Sequence, residues 1–471
     1  MAYSSITKPE DHFNTKLYTG NGGTQSITGV GFQPDWCWIK NRNDTGGGGY
    51  GHRLIDAVRG ATKELYSNNN GAENTVSTGL TSFDSDGFTL GSSSGVNNNA
   101  SGADSYVAWN WLAGGTTPAI TYSVKVVSDS GNKYRFDDYG TSAVTLDLQE
   151  GGTYTFDQSD SSNSGHPLRF STTSDGTHGG GSEYTTNVTT TGTPGSAGAK
   201  TVITVAASAP TLYYYCTQHS GMGGQANTNS LFGSSNFSGS IQSTVSANTT
   251  AGFSIVSYTG TGSTATIGHG LGSAPLITLI KQRSSGGTGS GAWNFITYQI
   301  DGSSDELNLN GTGAKADRSI TAPTSSVFSV DTSDERNDSG QTYICYCFAE
   351  KKGYSKFGKY TGNANTNGPF VYTGFKPAFV MVKATDATKS WYMLDNKRST
   401  SGSNVVDDQL LADTTDSEFD GSNIDMLSNG FKFRGSGSGE NGSGTNYIYM
   451  SFAENPFVAN DSGTAVPVTA R

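Results

Sequence analysis

With 471 residues the chain is long enough for three to four domains of ~100–150 residues. Its net charge of −11, with no cluster of Lys and Arg, excludes a phosphate-binding surface, so no nucleic-acid partner is expected. The 64 glycines, about twice the usual ~7%, together with 15% charged and 11% aromatic residues, exclude both a helix-rich and a disordered chain.

No apolar stretch approaches the ~18–20 residues of a membrane-spanning helix, so no membrane insertion is expected. Residues 1–5 lack a basic start before an apolar run, so no secretory leader is expected. The cysteines, Cys37, Cys216, Cys345 and Cys347, give no disulfide framework, which fits synthesis in a reducing cytoplasm. Cys345 and Cys347 stand two apart in a strand-like run and are expected to share a buried face.

In chain order, a first segment opens with Tyr18-Thr19-Gly20-Asn21 and continues through Phe32-Gln33-Pro34 into Trp36-Cys37-Trp38-Ile39-Lys40. Residues 54–66 read either as a helix or as a strand and turn, with Gly60 at the middle. Asp86-Gly87 and then Phe88-Thr89-Leu90 give a tight turn and a strand. The segment closes with Tyr106-Val107-Ala108-Trp109-Asn110-Trp111. The same order recurs twice. Tyr258-Thr259-Gly260 leads through Pro275 to Ile277-Thr278-Leu279-Ile280-Lys281 and closes at Tyr343-Ile344-Cys345-Tyr346-Cys347-Phe348. Tyr360-Thr361-Gly362-Asn363 leads through Pro377 to Phe379-Val380-Met381-Val382-Lys383 and closes at Tyr447-Ile448-Tyr449-Met450-Ser451-Phe452. From opening to closing tyrosine the intervals are 88, 85 and 87 residues. Matched ends at near-constant spacing point to one duplicated domain. The expected fold is all-β: three repeated antiparallel β-sandwiches, jelly-roll or lectin-like, at 1–112, 226–350 and 351–456. A polar tail, 457–471, is expected to be an exposed arm.

An insert at 113–225 separates the first two repeats. Residues 114–118 and 223–229 read as linkers, and strands are expected at 122–127, 143–148, 153–156, 168–170, 200–206 and 211–216. His166 precedes Pro167-Leu168-Arg169-Phe170. Cys216, His219 and Met222 follow the last strand. Two imidazoles and a thiolate make a trigonal site, with a thioether as a weak axial ligand. On these residues the insert resembles the cupredoxin family, a Greek-key β-sandwich. The resemblance implies copper, with His166, Cys216, His219 and Met222 as its ligands. Only two residues separate His219 from Met222, a shorter loop than in many single-copper members. A cupredoxin-shaped module without copper is the other reading.

No HExxH, GxSxG or Walker-type sequence occurs, and no enzyme is expected. The remaining histidines, His12, His52, His178 and His269, read as solvated turn residues. The acidic runs 331–335 and 413–418 read as solvated turns as well. Trp36 and Trp38, like Trp109 and Trp111, alternate along strands. They read either as core or as a glycan-stacking face, and core is favoured because the equivalents in the other repeats are apolar.

The YTGN-type opening, the Pro-led apolar strand, the Tyr-Ile-x-x-x-Phe-Ala-Glu close and Lys351-Lys352-Gly353-Tyr354 resemble a family of structural proteins of marine bacteriophages. The resemblance covers nearly the whole chain outside the insert. It implies a virion component, made in the host cytoplasm and tail-associated as a fibre, appendage or adaptor. Its implied partners are other virion proteins and copies of itself. The alternative is a lectin-like protein that recognises host-surface glycans, and a third reading is a capsid decoration protein.

Overall fold

The computed structural model describes residues 4, 6–43, 50–99, 104–229, 231–399, 405–456, 458–461 and 464–467. Within them the protein is all-β, with helices of a single turn such as Ser94–Asn97 and Asp334–Asn337.

Three stretches of chain build sheets with one central strand order. The first runs Phe13–Thr19, Ser105–Trp111, Trp36–Asn41, Arg53–Asp56. The second runs Phe253–Thr259, Thr342–Phe348, Ile277–Gln282, Asn294–Thr297. The third runs Ser355–Thr361, Asn446–Pro456, Phe375–Ala384, Trp391–Asp395. The opening and closing tyrosines are direct cross-strand partners: Tyr18 with Tyr106, Tyr258 with Tyr343, Tyr360 with Tyr447. Their rings stack with centroids 5.1, 5.2 and 4.9 Å apart. Each opening tyrosine then donates its hydroxyl to a backbone carbonyl, on Val96, Arg336 and Glu440 in turn. The matched spacing in the sequence is therefore strand register, pinned by a stacked aromatic pair.

A smaller layer covers one face of each sheet. Gln25–Thr28, Gly87–Leu90 and Leu80–Asp84 cover the first, and Ala265–Gly268 with Val327–Val330 covers the second. In the third, Phe419–Leu427, Gly430–Phe433 and Phe370–Tyr372 continue the large sheet itself, which curls toward a barrel. Each unit thus encloses a core of its own, with Ile27, Phe88 and Ile39 in the first, Ile267, Phe328 and Ile280 in the second, and Val371, Phe431 and Val382 in the third.

The opposite faces of the three large sheets meet in one shared core. Trp36, Trp38, Trp109 and Trp111 enter it from the first unit, Trp293, Tyr346 and Phe348 from the second, and Phe379, Trp391 and Phe452 from the third. A sheet buried on both faces needs apolar residues at every position. Along Trp36–Asn41 the tryptophans face the shared core, while Cys37 and Ile39 face the unit's own. All four tryptophans weighed as a glycan face are therefore buried. Each contributes roughly 1.5–3 kcal/mol by leaving water.

Polar side chains close the three units into a ring. Lys40, Lys281 and Lys383 are equivalent and buried. Each ammonium donates to backbone carbonyls of another unit: Lys40 to Thr415, Lys281 to Asn70, Lys383 to Thr312 and Gly313. The residues at the entry of the adjacent strand, His52, Trp293 and Trp391, repeat the pattern. They donate to the carbonyls of Leu411, Tyr66 and Asn308, at 3.0, 2.8 and 2.9 Å. First reaches third, second reaches first, and third reaches second, so the contacts are heterologous and closed, as in a cyclic trimer.

A carboxylate also sits at two of the three junctions. Asp56 pairs with Arg59 and accepts from the hydroxyl of Tyr346, and Asp395 pairs with Arg398 and accepts from the indole of Trp109. The equivalent of these acids in the second unit is Thr297, which stands opposite Ile277 as Asp56 stands opposite Trp36 and Asp395 opposite Phe379. The donor it would face is replaced by Met450, so acid and donor are absent together. Keeping one without the other would bury an unpaired group.

Several expectations change. Of the two readings of residues 54–66, the strand and turn forms: Arg53–Asp56 and Lys63–Glu64 are strands joined by a turn through Gly60, whose φ is +99°. His52 and His269 are buried and hydrogen-bonded, not solvated. Glu418, in an acidic run read as solvated, is paired with Arg42 and Arg398 across two units. The stretch 223–229 is no linker. Gly224–Asn229 is a strand between Leu146–Gln149 and Leu212–Cys216. The strand is polar yet two-sided: Ala226 fills the module's core while Asn227 bonds outward to Asp147. The insert therefore extends past 225, and the second unit's sheet begins at Ser234–Asn236. Of the expected C-terminal arm, only Val458–Asp461 and Thr464–Pro467 lie within the described residues, as a strand pair.

Candidate metal centre

The insert is a sandwich of two sheets. One orders Asn132–Phe136, Ala119–Ser128, Thr153–Asp157, Lys200–Thr204 and Val188–Thr191. The other orders Leu146–Gln149, Gly224–Asn229, Leu212–Cys216 and Leu168–Ser171. Tyr122, Phe136, Phe156, Phe170 and Tyr214 pack between them. Leu168 and Cys216 are cross-strand partners at one end of the second sheet. That pairing brings the turn before Leu168, which carries His166, against the loop after Cys216, which carries His219.

The three donors converge. Cys216 Sγ lies 3.9 Å from His166 Nδ1 and 3.8 Å from His219 Nδ1. Ligand atoms of all three fall within 4.8 Å of one another, and the imidazole centroids are 4.6 Å apart. A metal ~2.0–2.1 Å from nitrogen and ~2.3 Å from sulfur, with ~120° between them, sets nitrogen and sulfur about 3.8 Å apart. The donor set and its spacing therefore fit an ion held trigonally by two nitrogens and one sulfur. Cys216 is fully buried, His166 half-buried and His219 exposed, so the sulfur is shielded and one imidazole meets solvent. Burial, and then the neighbouring His219, lower the pKa of His166, which favours the neutral ligand form. The fourth expected ligand, Met222, is buried in the module's core beside these loops.

The supporting hydrogen bonds were not anticipated. The carbonyl of His166 accepts from Tyr134 Oη and Gln158 Nε2, both at 2.9 Å. Gln158 Oε1 accepts from the Leu168 amide, so one side chain ties the two ends of the turn. His178 Nε2 donates to the carbonyl of Cys216 at 3.0 Å. Asp175, held at φ 59°, accepts from the amide of Gly221. Such contacts fix ligand orientation. The Tyr134 hydroxyl also lies beside the Cys216 thiol, and burial together with that thiol raises its pKa. The one signal in the sequence was the left-handed Asp175-Gly176 turn; Tyr134 and Gln158 are ordinary strand residues.

A second group of potential ligands, Asp301, Asp305 and Asp317, lies in the second unit. All three accept from Lys315 Nζ at 2.6 Å, so the chain supplies their cation itself.

Fold and site together define an all-β protein in which a ring of antiparallel sheets carries an inserted module with a two-histidine, one-cysteine centre. The chain belongs to the family described as a domain of unknown function, DUF7483, whose model matches residues 8–145 and 226–456. The ligands of the centre lie between the two matched segments. No curated protein and no solved structure matches the chain.

Proposed function

We propose that this chain is a non-enzymatic structural protein of a bacteriophage particle, tail-associated, and that its insert binds copper through His166, Cys216 and His219. The scaffold reading is carried by how the three units use their chemically capable side chains. Lys40, Lys281, Lys383, His52 and the Asp56–Arg59 and Asp395–Arg398 pairs are all buried at junctions between units. Groups held in this way stiffen a body that other proteins can build on. Antibody raised against the purified chain should label intact particles, and particles free of the chain would overturn this reading.

The copper reading is carried by the two Nδ1 atoms facing one buried sulfur. Imidazole and thiolate in a trigonal array suit copper. Bound copper would supply a one-electron couple and a link between the turn of His166 and the loop of His219. The surrounding residues serve position: His178 and Asp175 hold the loop, and Tyr134 and Gln158 hold the turn. At a thousandfold excess over its Kd, a metal bound only by the folded module adds about 4 kcal/mol to stability. Copper(II) titration should produce a thiolate-to-copper absorption band near ~600 nm. Cys216→Ser should abolish it. A protein that retains no copper after loading would exclude the metal.

A further inference from the structure

Among the described residues, four large apolar side chains are exposed: Leu231, Phe370, Tyr372 and Phe419. Two of them, Phe370 and Tyr372, share one strand of the third unit. Their exposures are 45% and 55%, while Val371 between them is buried. Side chains two apart on a strand project from one face, ~7 Å from each other. Both rings therefore stand side by side on the outer surface.

The fold does not require them. Val371 pairs with Phe431 as Ile27 pairs with Phe88 and Ile267 with Phe328, which aligns the three strands. Phe370 then corresponds to Ser26 and Thr266, and Tyr372 to Thr28 and Gly268. The same two positions are small or polar in the first two units, with Gly268 covered by Asn236, and aromatic in the third alone.

The surroundings are rich in side-chain amides, and one cation, Lys432, stands opposite Phe370. Gly430 stands opposite Tyr372, and a methyl group there would come 3.1 Å from Cε2 of Phe370, so that ring leans over the glycine backbone. The loop leading into the strand is two residues longer than its counterparts and carries Asn363, Asn365 and Asn367, all exposed. Asn363 and Asn365 turn their carbonyl oxygens inward to the amides of Asn365 and Asn367. Among the described residues, Nδ2 of Asn365 and the side-chain amide of Asn367 make no hydrogen bond. Lys432 Nζ, the nearest cation on the facing strand, is directed to the carbonyl of Gly368.

We infer that Phe370, Tyr372 and the 363–368 loop form a binding site for an uncharged carbohydrate chain. The apolar C–H face of a pyranose matches an aromatic ring, and two rings ~7 Å apart can underlie consecutive sugars. Side-chain amides donate to and accept from hydroxyls without adding charge. The inference goes beyond the particle scaffold and stands without it: its assay uses the isolated chain, so either reading can fail alone.

The test is calorimetric titration of the full chain with cello-, malto- and chito-hexaose, with a printed array of bacterial surface polysaccharides. At least one neutral glycan should bind. Phe370→Ser with Tyr372→Thr, the residues of the first unit, should weaken that binding at least tenfold and leave the thermal midpoint in place. Replacing Ser26 and Thr28, the matching exposed positions of the first unit, by Ala should leave it unchanged. No binding to any glycan would overturn the inference. So would binding that survives the double replacement, or capture at this strand edge of extended peptides alone.

Discussion

The three units and the insert are both Gly- and Thr-rich and all-β, yet they treat the same side chains in opposite ways. In the units, histidine and lysine are buried and bonded: His52 bridges Trp38 and the carbonyl of Leu411, and Lys383 reaches three carbonyls. In the insert, His166 and His219 turn their Nδ1 atoms to one sulfur, with His219 exposed. Residue type alone thus says little about chemistry here. What separates adhesion from ligation is whether a backbone carbonyl of a neighbouring unit is within reach.

The largest effect should come from breaking the shared core. Trp36 is buried against Trp111, Phe253 and Tyr346. Trp36→Ala is expected to cost about 3–5 kcal/mol and to lower the stability of all three units together. Chemical denaturation followed by near-ultraviolet circular dichroism would read this. The metal centre should be spared, because the insert's core is separate. Loss of copper binding in that variant would erase the contrast.

The junctions sharpen the comparison further. Asp395→Ala leaves Arg398 and the Trp109 indole buried with fewer partners, although Glu418 still pairs with the arginine at 2.8 Å. A loss of about 3 kcal/mol is expected. Thr297→Val, at the equivalent junction without acid or donor, should cost ~1 kcal/mol or less. Equal losses in urea midpoints would show that the carboxylates do not hold the ring.

Much of the fold was legible because the tyrosine-ended strands are central and apolar on both faces. Three converging donors of the insert were also legible, since Cys216 and His219 are close in sequence and His166 precedes the partner strand, whereas Met222 packs in the module's core. The ring was not. Lys40, Lys281 and Lys383 end runs that look like strands meeting solvent, and their acceptors are backbone carbonyls, which leave no trace in side-chain identity. His52 looked like a turn residue for the same reason: its equivalents, Trp293 and Trp391, are a different residue type doing the same donation. The strand Gly224–Asn229 was hidden by polarity, because only Ala226 of its inward side is apolar.

His52 gives the most selective test. Trp38 Nε1 donates to its Nδ1 at 2.8 Å, so Nε2 carries the proton donated to Leu411. A second proton on the ring would displace the indole. Burial first, then the charges of Lys40, Arg398 and Arg53, hold its pKa well below the ordinary value of 6.5, against the Leu411 contact. The unfolded chain therefore takes up a proton below pH ~6.5 that the folded chain refuses, and stability falls as pH drops below that point. The slope is about 1.4 kcal/mol per pH unit for this one site, until the folded pKa is reached. His52→Gln can accept from Trp38 and donate to Leu411 without titrating. At pH 7.5 it should lie within about 1 kcal/mol of the parent. At pH 5 the difference in urea midpoints should have moved in favour of the Gln variant. Parallel pH profiles for the metal-free proteins would mean that His52 is not the group that makes the first and third units acid-sensitive where they meet.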